Sequence, residues 1–466
     1  MKLNVQQYSF LADTLTAVGL YRKIREEYKQ AVLLESSDYH GNKHSYSYIC
    51  FDPIATFKVE ENTISVQQVG GTEEKSKIEK KEDVIEALRD FSSSFTTDEN
   101  VPAMAKSVYG YSSYDSVNYF EDLDLRVTVD QNRKIPIMLY HLYRYTLLFN
   151  HFTNQLTVIE YTTGGESSQL ETVVQYIKGY QGVEEENNFE TTSDIYSNVT
   201  DEEYRVLVDK GIDHCLKGDV FQIVLSRRFS QGYKGDIFNV YRSLRSVNPS
   251  PYLFYFDYGD FQILGSSPEA QIIIEDNKAI IHPIAGTFKR TGNDREDYDL
   301  AKKLADDPKE SSEHVMLVDL ARNDLSRHGD QVEVTSFKEI QFYSHVIHMV
   351  STVEARLEKM GASLQLYADT FPAGTLSGAP KHRAMTLIDQ YEVGHRSFYG
   401  GAIGAIGFDG SINQTIMIRT LLSKDGELHY QAGAGVVAKS DRQSELQEVN
   451  NKLGALKRAI ELTELH

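Results

Sequence analysis

The chain of 466 residues has no tryptophan among its 29 tyrosines and 21 phenylalanines, and it has only two cysteines and ten prolines. Cys50 and Cys215 lie far apart and show no metal-ligand spacing. A disulfide framework and a cysteine-based zinc site are thereby excluded, and a reducing cytoplasm fits. No apolar run approaches membrane-spanning length, and the opening "MKLNVQQYSFLADTL" lacks the continuous apolar stretch of a secretion signal. Positive charge is also scarce: 48 lysines and arginines face 68 acidic residues, for a net charge of −20. That balance argues against a nucleic-acid or anionic-membrane surface but leaves room for an anionic substrate in a local basic pocket. What remains is ordinary for a soluble globular protein, at 41% hydrophobic and 25% charged residues.

Polar stretches at 72–82 and 183–201 are the places where few contacts should cross, and the second joins two apolar-rich halves. Just beyond it, Thr200 and Glu203 form a capping box that opens a helix carrying Tyr204, Leu207, Ile212 and Leu216. Gly218 stops that helix and "VFQIVLSRRF" reads as a strand. Further strands are expected in "YLFYFDYG", on both sides of the Asp276-Asn277 turn, and at 401–408, 412–422 and 427–438. Helices are expected from Asp307-Pro308 onward and in "SELQEVNNKLGALKRAIEL". This is a mixed α/β chain with long antiparallel strands rather than regular βαβ alternation.

The last helix carries the most information. Leu446, Val449, Leu453, Leu456 and Ile460 make one apolar face, while Glu445, Glu448 and Lys452 share another. Alone, that charged stripe reads as a solvated face. The strand before it, "YQAGAGVVAKS", places Gly433 and Gly435 where glycine weakens a strand unless something must come close. A second acidic helix offers Glu310 and Glu313 at i, i+3. Carboxylates without a histidine cluster suit a hard, hydrated ion such as Mg²⁺ rather than zinc. "FPAGTLSGAPKHRAM" lacks the spacing of a phosphate loop, so it reads as a turn with Pro380 near the start of a helix.

These segments in order, with "GSSPE", "PIAGT", "SSEHVMLVDLARND", "YSHVIHMVS", "FYGGAIG" and "MIRT", resemble the chorismate-utilising enzymes. Within that family the pattern is most similar to the large chains of the anthranilate synthases. It is dense over 200–462, the expected catalytic region, and looser over 1–185, the expected regulatory and supporting region; the two would share one interwoven fold. The resemblance implies a mixed, largely antiparallel β-sandwich core flanked by helices. It implies Mg²⁺ held by Glu313 and Glu448, with Glu445 acting through a water. Gly433, Gly435, Gly286, Thr287 and Lys452 would surround the ring carboxylate of chorismate. Tyr399 and Arg419 would grip the enolpyruvyl carboxylate, His348 and Thr375 would line the pocket, and Glu269 would protonate the departing C4 hydroxyl.

Two further positions separate branches of the family. Relatives that add water carry a lysine base where this chain has Gln222, an amide without useful basicity. Relatives that aminate C4 through a covalent intermediate carry a lysine where this chain has Ala285. Direct attack of ammonia at C2 and release of pyruvate is therefore expected. Amination toward 4-aminobenzoate is the alternative reading, and a non-catalytic amino-acid sensor a remote one. Glu35 and Ser36, with Pro251, Tyr252 and Leu253, match the feedback site for L-tryptophan in this family. Neither cysteine sits in a nucleophile turn, so ammonia is expected from a separate glutamine amidotransferase subunit.

Overall fold

The computed structural model describes residues 1–36, 45–97, 101–126, 130–180, 182, 188–343, 346–358 and 360–465, without the side chains of residues 287, 309 and 360. Every ladder between its strands is antiparallel. Ladders cross between the halves on either side of 183–201. The strand Val32–Glu35 pairs with Tyr252–Asp257, and Ser107–Ser112 pairs with Ala402–Gly407. Asp276 and Asn277 both take positive φ, 50° and 60°, and close the hairpin between Ala270–Glu275 and Lys278–Ile281.

The helices follow local sequence rules closely. Asp201–Lys217 opens on the Thr200–Glu203 capping box and ends at Gly218, whose φ is 81°. Leu216 departs from expectation and is 70% exposed. Tyr204, Val208 and Gly211 set the buried stripe, and its next position falls on Cys215, which packs against the core instead. The final helix, Arg442–Glu464, is capped by Asp441, which accepts from the Ser444 amide at 2.8 Å. Its apolar face, Leu446, Val449, Leu453, Leu456 and Ile460, is fully buried.

Two strands break where the sequence reads as continuous, and the breaks build the site. The run expected at 412–422 is two strands, Ile412–Ile416 and Thr420–Lys424. The first pairs with Ala270–Glu275 and the second with Phe261–Ser267, so the chain changes partner between them. Arg419 makes that change in the left-handed region, at φ 49°. On the neighbouring chain, Pro268 and Glu269 form the matching gap between Phe261–Ser267 and Ala270–Glu275. The Ile416 amide donates to the Glu269 carbonyl at 3.0 Å, which ties the two breaks together.

Two ion pairs lie inside this framework. Arg396 forks onto Glu392 through Nε at 2.8 Å and Nη2 at 2.6 Å, and Lys381 Nζ lies 2.6 Å from Asp324 Oδ2. Removing one partner of such a pair strands the other charge in a poorly solvated interior. The replacement Arg396→Met is expected to cost about 3–5 kcal/mol, read as a lower urea midpoint. Adding Glu392→Met should recover only part of the loss, because Glu392 also accepts from the Ser226 amide at 2.7 Å.

Candidate functional site

The two strand breaks, a bulge and two acidic helices enclose a cavity of about 560 Å³. The bulge lies between Ala285 and Thr287, where the register against the strand Val346–Arg356 shifts. Gly286 fills it at φ +71°, and a Cβ there would lie 2.5 Å from Leu304 Cδ1 and 3.0 Å from Glu310 Oε2. The backbone conformation therefore favours glycine, and a side chain there would have to displace Leu304 and Glu310. The Gly286 carbonyl accepts from His348 Nδ1 at 3.2 Å. Burial lowers the pKa of His348, so the ring is neutral near pH 7.

Glu269 enters from its strand break. Burial pushes its carboxyl up to about 7, against the opposing effects of Thr375, Lys452 and Arg419. Thr375 Oγ1 donates to Glu269 Oε1 at 3.0 Å. A carboxylic acid that is protonated near neutrality can donate a proton, which an ordinary exposed glutamate cannot. Arg419 is buried beside it; burial lowers the guanidinium's pKa and Glu269 opposes that effect.

Backbone within the chain crowds Gly433, where a Cβ would lie 2.9 Å from the Leu225 carbonyl, while at Gly435 the close neighbour is the movable end of Gln222. A Cβ at Gly433 would lie 3.0 Å from the Tyr399 hydroxyl, and one at Gly435 would lie 2.5 Å from Gln222 Nε2. Lys452 Nζ donates to the Gly433 carbonyl at 2.8 Å and pairs with Glu448 at 2.8 Å. Burial holds the Tyr399 phenol protonated.

Gln222, Glu269, Ala285, Gly286, Glu313, His348, Thr375, Tyr399, Arg419, Gly433, Gly435, Glu445, Glu448 and Lys452 all line this one cavity. For Thr287, the backbone pairs with His348, while its side chain lies outside the described residues. Ala285 and Gln222 present a methyl group and an amide, so neither offers a nucleophile or a base. Glu310 and Asn451 also line the cavity. Asn451 follows Glu448 by three residues, so helical spacing alone pointed to it. Arg396, which braces the wall from behind, carried no such signal.

Glu313 and Glu310 approach from the helix Pro308–Leu325, Glu445 and Glu448 from the final helix. Among the described residues, no group of three or more His, Cys, Asp and Glu is gathered closely enough to hold a metal ion. The four glutamates on the two helices nevertheless offer only hard oxygens, which fits Mg²⁺ with ligands shared between protein, water and an anionic substrate.

A second cavity, of about 820 Å³, is lined by Glu35, Ser36, Pro251, Tyr252 and Leu253. Pro268 and Ile284 line both cavities. Glu35 accepts from the Tyr241 hydroxyl at 2.7 Å and from Arg245 Nε at 2.9 Å, two partners the sequence did not reveal. Burial pushes the Cys50 thiol up to about 12 and the Cys215 thiol up to about 11, so neither is poised as a thiolate. No helix among the described residues is long and apolar enough to cross a membrane.

Comparison with known proteins finds relatives along nearly the whole chain. The sequence pattern of the family described as chorismate binding enzyme matches residues 29–458. Anthranilate synthase component 1 of Aquifex aeolicus is 34% identical over 97% of this chain and 94% of its own length. The protein of that name from Bacillus subtilis is 36% identical over 98% and 92%. The crystal structure of anthranilate synthase component I from Streptococcus pneumoniae superposes with a TM-score of 0.77 at 30% identity, covering 96% of this chain and 99% of the other. The menaquinone-specific isochorismate synthase MenF of Escherichia coli, 17% identical, shares the fold with a TM-score of 0.73 over 98% of this chain and 94% of its own.

The raised pKa of Glu269 also sets a stability test. Between its ordinary value of 4.5 and about 7, the folded chain holds a proton that the unfolded chain has released. Stability attributable to this group therefore falls as pH rises through that window. Glu269→Gln, a neutral isostere, is expected to be more stable than the parent by about 1–3 kcal/mol near pH 8. Urea midpoints measured across pH should show the difference vanish below 4.5.

Proposed function

This chain belongs to the chorismate binding enzyme family, and we propose that within it the chain is the chorismate-aminating component of an anthranilate synthase, a lyase of tryptophan biosynthesis. The observation that carries this reading is Glu269, a carboxyl held up to about 7 and bonded by Thr375 in a cavity that also contains Arg419 and Lys452. Such a group supplies a proton to a leaving hydroxyl at neutral pH. Full-length similarity to proteins named anthranilate synthase component 1 supports the same branch.

In this mechanism Arg419 and Tyr399 bind the enolpyruvyl carboxylate, the guanidinium taking both oxygens. Lys452 and the backbone of Gly433, Gly435, Gly286 and Thr287 receive the ring carboxylate. Glu313 and Glu448 would hold Mg²⁺, with Glu445 acting through water, and the ion would neutralise the ring carboxylate and draw electrons as the hydroxyl leaves. Ammonia attacks C2, the double bonds shift, and the C4–O bond breaks as Glu269 gives its proton to the departing oxygen. The product of this step is 2-amino-2-deoxyisochorismate. Loss of the C2 hydrogen and of the enolpyruvyl group as pyruvate then gives anthranilate.

Ala285 and Gln222 support C2 amination. Without a lysine at either position the chain offers no covalent handle for amination at C4 and no base to activate water. The protonated thiols, Cys50 buried and Cys215 half-buried, leave hydrolysis of glutamine to a separate amidotransferase subunit. L-tryptophan is the proposed occupant of the second cavity, with its ammonium near Glu35 and Ser36 and its indole against Pro251, Tyr252 and Leu253. A cytoplasmic location completes the reading.

Mixed with chorismate, Mg²⁺ and ammonium, the chain should yield fluorescent anthranilate. EDTA should abolish the signal, and glutamine alone should give none. Glu269→Gln should lower kcat by about 10²–10⁴-fold with little change in the chorismate KM. A 4-amino product, or robust turnover with glutamine, would refute the assignment.

L-tryptophan should inhibit this ammonium-dependent turnover, and Ser36→Leu, which crowds the second cavity, should relieve the inhibition. An unchanged rate at millimolar tryptophan would dispose of the regulatory assignment.

A further inference from the structure

Beside the main cavity, a smaller space of about 40 Å³ adjoins Glu269 and Thr375 and reaches Gln271, Thr370, Ala321 and Asp324. Gln271 is 2% exposed. Its Nε2 donates to the Thr370 carbonyl at 3.1 Å, while its Oε1 is buried with no hydrogen-bond partner among the described residues. A buried amide oxygen left unbonded is costly, and such atoms in native proteins are commonly satisfied by an ordered water. A water needs about 10–15 Å³ of such space and two to four polar partners. The volume is sufficient, and Gln271, Asp324 and Glu269 supply the partners.

We propose that this space holds ordered water, anchored by Gln271 Oε1 and Asp324, which returns a proton to Glu269 after each leaving-group departure. The proposal rests on the reading of Glu269 as the catalytic acid. It answers a need that reading creates, because substrate occupies the main cavity while Glu269 is spent. In that step the C4–O bond breaks, the oxygen leaves as water with the Glu269 proton, and Glu269 remains as a carboxylate. The chamber water then gives a proton to Glu269 and takes one from a neighbouring water, while the Asp324 carboxylate, paired with Lys381, only accepts. One solvent proton is consumed, and one is returned when the nitrogen newly bonded to C2 loses its extra proton.

Asp324 is itself held in place. Its Oδ2 accepts from Lys381 Nζ at 2.6 Å, and the same ammonium donates to the Thr370 carbonyl at 3.0 Å. Gln271 and Lys381 thus share the Thr370 carbonyl, which fixes both ends of the water site relative to each other. In this scheme Gln271 is a positioning residue, and its effect on turnover passes through the water it orients.

The test compares Gln271→Leu, which removes the acceptor, with Ala321→Val, which intrudes on the space. Both are assayed for ammonium-dependent turnover of chorismate alongside Glu269→Gln, and the parent chain is crystallised at a resolution that shows waters. The expected result is a water within hydrogen-bond distance of Gln271 Oε1 in the parent. In each variant kcat should fall several-fold at unchanged chorismate KM, with a larger solvent deuterium isotope effect as proton return becomes rate-limiting. A dry space in the parent would overturn the relay. So would parental kcat and isotope effect in both variants while Glu269→Gln is impaired. Full activity of Glu269→Gln would remove the acid itself, and the relay with it.

Discussion

The fork between Arg396 and Glu392 is the constraint on which the site depends. Arg396 is 2% exposed and donates to three separate walls: to Glu392, to the Leu376 carbonyl at 2.5 Å and to the Val224 carbonyl at 2.8 Å. Its guanidinium also lies 4.9 Å from the Tyr114 ring and 5.6 Å from the Tyr399 ring. Burial works against its charge, yet Glu392 holds the guanidinium firmly protonated. One side chain thereby fixes the strand Gln222–Lys234, the turn that presents Thr375, and the loop that presents Tyr399. A planar five-donor group can meet these demands at once, whereas lysine would satisfy only some of them.

Around that brace, charge is distributed against the average of the molecule. A chain with a net charge of −20 places Arg419 and Lys452 in one cavity with the four glutamates of the two acidic helices, one of which, Glu448, pairs with Lys452. In the proposed mechanism an anionic substrate would meet these two cations and glycine backbone, and a hard cation would offset the remaining negative charge. The overall balance of the chain thus says nothing against anion binding. Low local dielectric strengthens each of these interactions and is also what holds Glu269 protonated.

Much of this was legible in the sequence because it is local. The capping box at Thr200, the Asp276-Asn277 turn and the apolar face of the last helix are encoded within a few residues of one another. The glutamates and Lys452 of that helix were legible for the same reason, since one helical face brings them together. Ordered motifs supplied Glu269, Arg419 and Tyr399, which no periodicity would have joined. What stayed hidden depends on distant pairings. Strand periodicity runs through 412–422 without interruption, and only the change of ladder partner forces Arg419 out of line. Leu216 reads as core until the stripe set by Tyr204 and Gly211 sends Cys215 inward instead. Arg396, Tyr241 and Arg245 become visible only once strands from opposite ends of the chain are placed side by side.

Pro268 and Ile284 form a common partition between the two chambers, and each is followed directly by a residue of the chemical site, Glu269 and Ala285. Occupants of the two spaces would therefore share these two residues as neighbours. Thermodynamic reciprocity then applies: a molecule in the larger chamber that weakens the hold on chorismate by some factor is itself held more weakly, by the same factor, whenever chorismate is bound. Under the proposed regulation, turnover and sensitivity to the regulator would then be a single property of this partition, and abundant substrate would blunt the restraint at the same two residues.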